Sequence, residues 1–128
     1  MVSDRVGDFI IRLKNAGAVG RASVEVPYSK QLDAIAKKLH QLGFVGSVEK
    51  KGEKTLRVSL VYNEKGVSRI RDVRRVSKPG RRLYVSYREA HTVAGGTGAR
   101  IISTPAGILS DSEARRDRLG GENLFEIW

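Results

Sequence analysis

A helix framed by clear start and stop signals constrains this fold more than any other feature of the sequence. Pro27 ends the segment before it, because proline has no amide hydrogen to donate to a strand ladder. Ser29 is a residue type that caps helix N-termini, and Gly43 stands where a glycine follows a helix C-terminus. The apolar stripe between these signals has helical spacing and consists of Leu32, Ile35, Leu39 and Leu42. The sequence therefore predicts an amphipathic helix that buries one face.

The segments on either side of this helix predict an α-β-α-β-β order for residues 1–63. Ser23–Val26 is predicted as a short strand, and residues 44–62 as a hairpin with Gly52 in its turn. A first helix ending at Gly17 is predicted from the helical spacing of Val2, Val6, Phe9, Ile10 and Leu13. Asn63–Gly66 is the predicted boundary, so we expect an N-terminal α/β lobe at 1–64 and a C-terminal β-rich lobe at 65–128.

Short strand patterns dominate the second lobe. The β-branched residues Val67, Ile70, Val73 and Val76 favour a strand with a bulge, although their spacing of three fits neither regular element cleanly. Pro79-Gly80 predicts a turn, and the alternation from Arg82 to Arg88 predicts a second strand.

The remaining residues of this lobe predict two more strands and one helix. Arg100–Ser103 and Leu124–Trp128 are the strand candidates. Ser110 and Glu113 have capping-box spacing, which predicts a helix through Leu119 that Gly120-Gly121 closes. The predicted fold class is α+β, with two small lobes, the second mainly antiparallel β with one short helix.

The charge of the chain points to an anionic partner. Lys and Arg number 24 against 14 Asp and Glu, giving a formal net charge of +10. Lys65–Arg88 holds nine basic residues and one acid, Asp72. A surplus of this size favours nucleic acid or an acidic membrane surface. The membrane is the weaker alternative, because the basic residues fall mainly on predicted strands rather than on an amphipathic helix.

The sequence lacks the residues that several classes of function require. The chain has no Cys, which excludes disulfides and thiolate metal sites and fits a reducing compartment. His40 and His91 have no metal-ligand spacing, and no serine-nucleophile motif is present. No apolar run is long enough to span a membrane, and the N-terminal residues show no cleavage signal. We therefore expect no catalytic residues, no metal and no cofactor.

Two other functions stay open at this point. The glycine-rich run Ala94–Ala99 resembles a phosphate-binding loop but lacks the Gly-Lys-Ser/Thr ending and the G-x-G-x-x-G spacing. An enzyme or regulator that binds a phosphorylated ligand there is one alternative, and a DNA-binding architectural protein is the other. The more favoured reading is an RNA-binding protein, because Arg82 and Tyr84 are predicted on one strand face, where they suit phosphate contact and base stacking.

Three stretches of the sequence form a distinctive set: "RVSKPGRRLY" (Arg75–Tyr84), "STPAGILSDSEAR" (Ser103–Arg115) and "LGGE" (Leu119–Glu122). They are supported by "SDRVGDFIIRLKNA" at the N-terminus and by "VPYSK" and "LGFV". Together these stretches resemble the ribosomal protein S8 family. The resemblance implies a two-lobed protein of the small ribosomal subunit, in the cytoplasm, that binds the central domain of 16S rRNA and supports platform assembly. It also implies neighbouring ribosomal proteins, S5 among them, as partners, and in many bacteria repression of a ribosomal-protein operon. It implies no membrane and no small-molecule substrate.

The resemblance also implies which residues contact RNA. In the family, a loop reading Ser-Thr-Ser-Lys-Gly meets bases in an irregular helix, with help from a Tyr and a downstream Glu. Here its third and fourth positions are Pro105 and Ala106, which removes a hydroxyl, an amide donor and a positive charge. The predicted RNA-binding residues are Lys78, Arg82, Tyr84, Ser103, Thr104, Pro105, Gly107 and Glu122, with Asn15, Ser29 and Lys30 toward backbone phosphates.

Overall fold

The computed structural model describes residues 4–128, and its contacts divide the chain into two compact units. One is Asp8–Arg71, and the other contains the described residues up to Gly7 together with Asp72–Trp128. The structure has three α-helices and two antiparallel sheets among the described residues, which confirms the predicted α+β class. The lobe limits at residues 64 and 65 stay a prediction.

The first unit contains the predicted α-β-α-β-β order. Its elements are α1 (Arg5–Ala18, whose first turn belongs to the other unit), β1 (Ser23–Pro27), α2 (Lys30–Gln41), β2 (Val45–Lys51) and β3 (Thr55–Leu60). The strands form an antiparallel sheet in the order β1-β3-β2, and Gly52 lies in the β2–β3 turn with φ +68°.

The signals around α2 act as predicted. The Ser29 hydroxyl accepts a hydrogen bond from the Leu32 N–H at 3.0 Å, and Gly43 follows the helix with φ +83°. Leu32, Ile35 and Leu39 are fully buried. These local contacts explain why this helix could be placed from sequence.

The predicted end of α1 was wrong by one position. The helix passes through Gly17 and ends at Ala18, and the glycine of left-handed conformation after it is Gly20, with φ +74°. Gly17 serves packing instead, because a Cβ there would lie 2.6 Å from the Ser68 hydroxyl. Val2, the first member of the predicted apolar pattern, lies outside the described residues.

The second unit is built around one long strand. Its elements are β4 (Val73–Arg75), β5 (Tyr84–Val85), a 3₁₀ turn (Ala94–Gly96), β6 (Ala99–Thr104), β7 (Gly107–Ser110), α3 (Asp111–Asp117) and β8 (Gly121–Ile127). β8 pairs with β4 and β5 along one edge and with β6 along the other, and β6 pairs with β7. The strand predicted at the end of the chain is therefore confirmed, and it is the central strand of this sheet.

The strand predicted across Val67–Val76 was wrong over most of its length, since only Val73–Arg75 pairs as a strand. The chain folds back first: the Arg69 N–H donates to the Val61 carbonyl at 2.8 Å. The Asn63 carboxamide oxygen accepts the N–H of Lys65 at 2.8 Å and that of Val67 at 2.9 Å. The Asn63 side chain thus closes a turn over residues 63–67, and the backbone there does not extend as a strand.

The strand predicted from Arg82 to Arg88 is also shorter, at Tyr84–Val85. On its N-terminal side, the buried Ser77 hydroxyl accepts the Leu83 N–H at 2.8 Å and donates to the Leu83 carbonyl at 3.0 Å. On its C-terminal side, the Glu89 N–H donates to the Ser86 carbonyl at 3.0 Å and begins a turn. The Ser77 hydroxyl thus takes the Leu83 N–H that a longer strand would have paired, although the Leu83 carbonyl still accepts the Asn123 N–H of β8 at 2.9 Å.

The capping box at α3 is confirmed in both directions, with Ser110 accepting from the Glu113 N–H and the Glu113 carboxylate accepting from the Ser110 N–H. The predicted end at Leu119 was wrong. The helix stops at Asp117, and Arg118 adopts the left-handed conformation with φ +55°, a role that the sequence had assigned to glycine.

Candidate nucleic-acid interface

The stretch Ile102–Asp111 contains a tight hairpin turn with Pro105-Ala106 at its tip. Thr104 pairs with Gly107 across the turn. The Thr104 hydroxyl donates to the Gly107 carbonyl at 2.8 Å and accepts from the Ala106 N–H at 3.2 Å. Gly107 has φ +113°, a conformation that side chains rarely adopt, which explains a glycine at this position.

Three predicted site residues lie in one row across the sheet. Glu122 on β8 is opposite Tyr84 on one side and opposite Ser103 on the other. Residues directly opposite each other in antiparallel strands point to the same face, so these three side chains share one face. Tyr84 is 74% exposed, which leaves its ring open to a partner. We call Tyr84, Glu122 and Ser103 the cross-strand row.

Two glycines bring the neighbouring strands against β8 at this row. A Cβ on Gly121 would lie 2.0 Å from the Ser103 carbonyl oxygen, and one on Gly120 would lie 2.6 Å from the Val85 carbonyl oxygen. Since both neighbours are backbone atoms, no side chain fits at either position without displacing a strand. The "LGGE" motif is thus a steric requirement of the row. Sequence reasoning had assigned these glycines to closing a helix.

Positive charge borders the cross-strand row. The Arg82 guanidinium donates to the Glu122 carboxylate at 3.0 Å and is 47% exposed. Lys78 is exposed beside a turn in which Lys78 and Arg81 exchange two backbone hydrogen bonds of 2.9 Å around Pro79-Gly80. The structure therefore places these two predicted cations on the same unit as the row, with Arg82 in direct contact with it.

Other arginines of the basic segment have structural roles. Arg75 is largely buried and forms a forked ion pair with Asp4, with both N–O distances at 3.1 Å, and it also donates to the Leu124 carbonyl. The Arg69 guanidinium lies 4.1 Å from the centre of the Phe44 ring in the first unit. The charge of this segment is therefore only partly available to a partner, which its composition could not reveal.

The pKa of Asp4 reflects its setting. Partial burial raises it, but the opposing effects of hydrogen bonds from Arg75 and from the Gly7 N–H, together with the Arg75 charge, leave the pKa below its ordinary value. Asp4 thus remains ionised and accepts the Gly7 N–H at 3.0 Å in the first turn of α1.

Asp4→Asn is expected to lower the free energy of unfolding at neutral pH by no more than about 1 kcal/mol, because solvent screens a partly exposed pair. The unfolded-state pKa is about 3.9, and the folded-state pKa is lower. The stabilisation is therefore present above about pH 4 and is lost as pH falls through the folded pKa. Urea unfolding at pH 7 and at pH 3 should show a smaller acid-induced loss in the variant.

Asp117→Asn is the control for this experiment. It removes an ion pair with Arg116 at 2.9 Å, but both groups are exposed to solvent, so little change in stability is expected. Equal acid-induced losses in wild type and Asp4→Asn would contradict a role for the Asp4 carboxylate.

Asn15, Ser29 and Lys30 belong to the first unit. Asn15 is exposed on α1 and lines a groove of about 590 Å³ that also contains Arg12 and Arg21. The Ser29 hydroxyl is occupied in capping α2, which leaves the exposed Lys30 side chain as the available group at that helix end. Phosphate contacts by these three residues stay a prediction.

The described residues show no metal cluster, no membrane-spanning helix and no phosphate-binding loop followed by a helix. Within residues 4–128 there is no group of three His, Cys, Asp or Glu that could hold a metal ion. No helix in that range is long and apolar enough to cross a membrane. The glycine-rich run forms the short 3₁₀ turn Ala94–Gly96 and leads into β6, as expected for a connection.

Comparison with known proteins decides the family. The sequence model described as "Ribosomal protein S8" matches residues 4–128. The chain belongs to the ribosomal protein S8 family. Members of this family are structural ribosomal proteins rather than enzymes.

Curated relatives in this family match over the full length. "Small ribosomal subunit protein uS8" of Rhodopirellula baltica is 42% identical over 132 residues, covering 99% of each chain. The protein of the same name from Dictyoglomus turgidum is 43% identical over 130 residues, covering 99% of this chain and 98% of the relative. That of Sorangium cellulosum is 40% identical over 131 residues, covering 100% of both.

Proposed function

We propose that this chain is a structural protein of the small ribosomal subunit that binds the central domain of 16S rRNA directly and supports assembly of the platform. The observation that carries the proposal is the cross-strand row, in which an exposed aromatic ring, a carboxylate and a hydroxyl share one face beside Arg82. Membership of the ribosomal protein S8 family supports the choice of RNA.

The chemistry of this surface suits an irregular RNA helix. Exposed aromatic rings stack on unpaired bases, and hydroxyl and carboxylate groups bond to base edges. Arginine and lysine contact phosphates, which attracts RNA without reading its sequence. On this division, Arg82 and Lys78 position the RNA, while the neutral turn that follows Ser103 can approach bases closely.

Binding to RNA and to subunits tests the proposal. The full chain should sediment with small ribosomal subunits at high salt, and footprinting should show protection within the central domain of 16S rRNA. An excess of unlabelled duplex DNA should leave that protection in place. Preferential binding to duplex DNA, or loss from subunits at moderate salt, would overturn the assignment.

Arg82→Ala is expected to weaken binding to central-domain RNA and to reduce the slope of log K against log salt by about one unit, because one phosphate contact is lost. The variant also leaves Glu122 without its cation. Arg82→Lys keeps the charge and separates the two effects. Filter binding at several salt concentrations measures the slope.

Arg116→Ala is the matched control, because Arg116 is an exposed cation on α3 that pairs with Asp117. Its salt slope should equal that of wild type. A slope that Arg82→Ala leaves unchanged would remove Arg82 from the phosphate contacts.

Two finer activities extend the same proposal. Repression of its own operon would use the cross-strand row on a messenger helix that resembles the ribosomal one, and a messenger fragment should then compete with 16S rRNA. Ribosomal protein S5 is the proposed protein neighbour, with family membership as its support. Cross-linking within reconstituted subunits tests that contact.

A further inference from the structure

We infer that Thr104 is a positioning residue that holds the hairpin turn closed, and that Ser103 supplies the hydroxyl that meets the RNA. This inference rests on the proposed function. It divides the roles of two neighbouring hydroxyls that a sequence motif cannot tell apart.

The hydrogen bonds of the turn occupy the Thr104 hydroxyl in both directions. Its proton goes to the Gly107 carbonyl at 2.8 Å, and its oxygen accepts the Ala106 N–H at 3.2 Å. A hydroxyl has one proton to donate, so Thr104 has none left for a base. To donate to RNA, Thr104 would have to release the turn.

The residues at the tip explain why the turn needs this side chain. Two-residue hairpin turns favour conformations with positive φ at their first position, which match the twist of the strands. Pro105 fixes φ near −65° and excludes them. The change of direction is accommodated at Gly107, with φ +113°. The two bonds from Thr104 tie Ala106 and Gly107 together across this less favourable turn.

Ser103 is in a different situation. No hydrogen bond involves its hydroxyl among the described residues, 4–128, so it is available as donor and as acceptor. It is half-buried, opposite Glu122 on β8 and opposite Ile108 on β7, which fixes its direction. The backbone that carries it rests against Gly121. Its placement therefore depends on the hairpin register, which the turn maintains.

The remaining groups at the tip do not substitute for Ser103 as donors. Pro105 has no N–H, and the Ala106 N–H is bonded to Thr104. The Ser103 hydroxyl is thus the side-chain donor of residues 103–107 that remains free, beside Tyr84 and Glu122 in the cross-strand row. We expect this hydroxyl to bond to a base edge or a ribose hydroxyl.

A double-mutant cycle tests the inference, with transcribed central domain of 16S rRNA as the probe. Ser103→Ala and Thr104→Val are each expected to weaken binding about 5- to 20-fold, in line with the loss of one hydrogen bond that is formed or correctly placed. Thr104→Ser retains both turn bonds and should bind within about 2-fold of wild type. The Ser103→Ala/Thr104→Val double variant should bind about as well as the weaker single variant.

The cycle also distinguishes this positioning role from direct contact between Thr104 and the RNA. If Thr104 contacted the RNA independently, the losses of the two single variants would multiply in the double variant, and that result would overturn the inference. So would wild-type affinity in Ser103→Ala, or a loss in Thr104→Ser equal to that in Thr104→Val. Thermal unfolding of each variant identifies any loss that comes from misfolding.

A second measurement needs no RNA. Amide hydrogen exchange at Ala106 should be about 10-fold faster in Thr104→Val than in wild type, and unchanged in Thr104→Ser. Unchanged exchange in Thr104→Val would overturn the positioning role. If wild-type protein did not prefer central-domain RNA over a regular duplex, the proposed function would be wrong. The exchange measurement would still show whether the Thr104 hydroxyl holds the turn closed.

Discussion

Gly121→Ala is expected to lower the free energy of unfolding by about 3 kcal/mol, at the upper end of the usual cost of overpacking. The added Cβ would lie 2.0 Å from the Ser103 carbonyl oxygen, 2.8 Å from its carbonyl carbon and 3.1 Å from the Thr104 Cα. All three are backbone atoms of β6, so relief requires moving the strand. Urea unfolding followed by circular dichroism measures the change.

Gly80→Ala is the matched control. Its added Cβ meets nothing within 4 Å, and its φ lies outside the positive range that disfavours side chains. Its stability should remain within about 0.5 kcal/mol of wild type. A Gly121→Ala variant as stable as Gly80→Ala would mean that β6 and β8 separate easily at this point, and the row would then be less rigid than the structure indicates.

The same substitution tests how the row works. Moving β6 away from β8 displaces Ser103 from its position opposite Glu122, so RNA affinity should fall more steeply than stability alone explains. Measuring binding well below the unfolding midpoint separates the two effects. Gly120→Ala, whose Cβ would lie 2.6 Å from the Val85 carbonyl oxygen, should displace β5 and Tyr84 instead.

Tyr84→Ala is expected to weaken binding to central-domain RNA about 5- to 150-fold, because stacking of a base on an aromatic ring contributes about 1–3 kcal/mol. The ring is 74% exposed, so its removal leaves no cavity in the core and stability should change little. Filter binding or fluorescence titration at fixed salt measures the loss.

Two further variants at this position identify which part of the Tyr84 side chain contributes to RNA affinity. Tyr84→Phe retains the ring and should retain most of the affinity, whereas Tyr84→Leu retains apolar area without an aromatic face and should bind nearly as weakly as Tyr84→Ala. Wild-type affinity in Tyr84→Leu would show that stacking is not the contribution, and a loss in Tyr84→Phe would point to the phenolic hydroxyl.

Local signals predicted the parts of the fold that local bonds maintain. α2 was placed by Ser29 and Gly43, and α3 by the reciprocal bonds of Ser110 and Glu113. The predicted strand limits were wrong where a single side-chain hydrogen bond, which no repeating pattern reveals, determines the path of the backbone. Residues near Asn63 close a turn instead of extending a strand, and the Ser77 hydroxyl accepts the Leu83 N–H that a longer strand would have paired.

The residues of the candidate site could be predicted, but their arrangement in space could not. Resemblance to a family supplied Tyr84, Ser103 and Glu122, but their positions in one row follow from strand pairing that spacing cannot reveal. A register shift between Ile101 and Ile102 changes which β8 residue each β6 residue faces. The roles of Arg75 and Gly121 depend on Asp4 and on the Ser103 carbonyl, which are distant in sequence.

The central position of β8 has a consequence for synthesis. Three strands that are made earlier, β4, β5 and β6, all pair with this later segment. Until Gly121–Ile127 has left the translating ribosome, β4 and β5 have no partner strand and the face shared by Tyr84 and Ser103 does not exist. The nascent chain therefore acquires the cross-strand row in one late step, so a partly made chain lacks the surface that we propose binds rRNA.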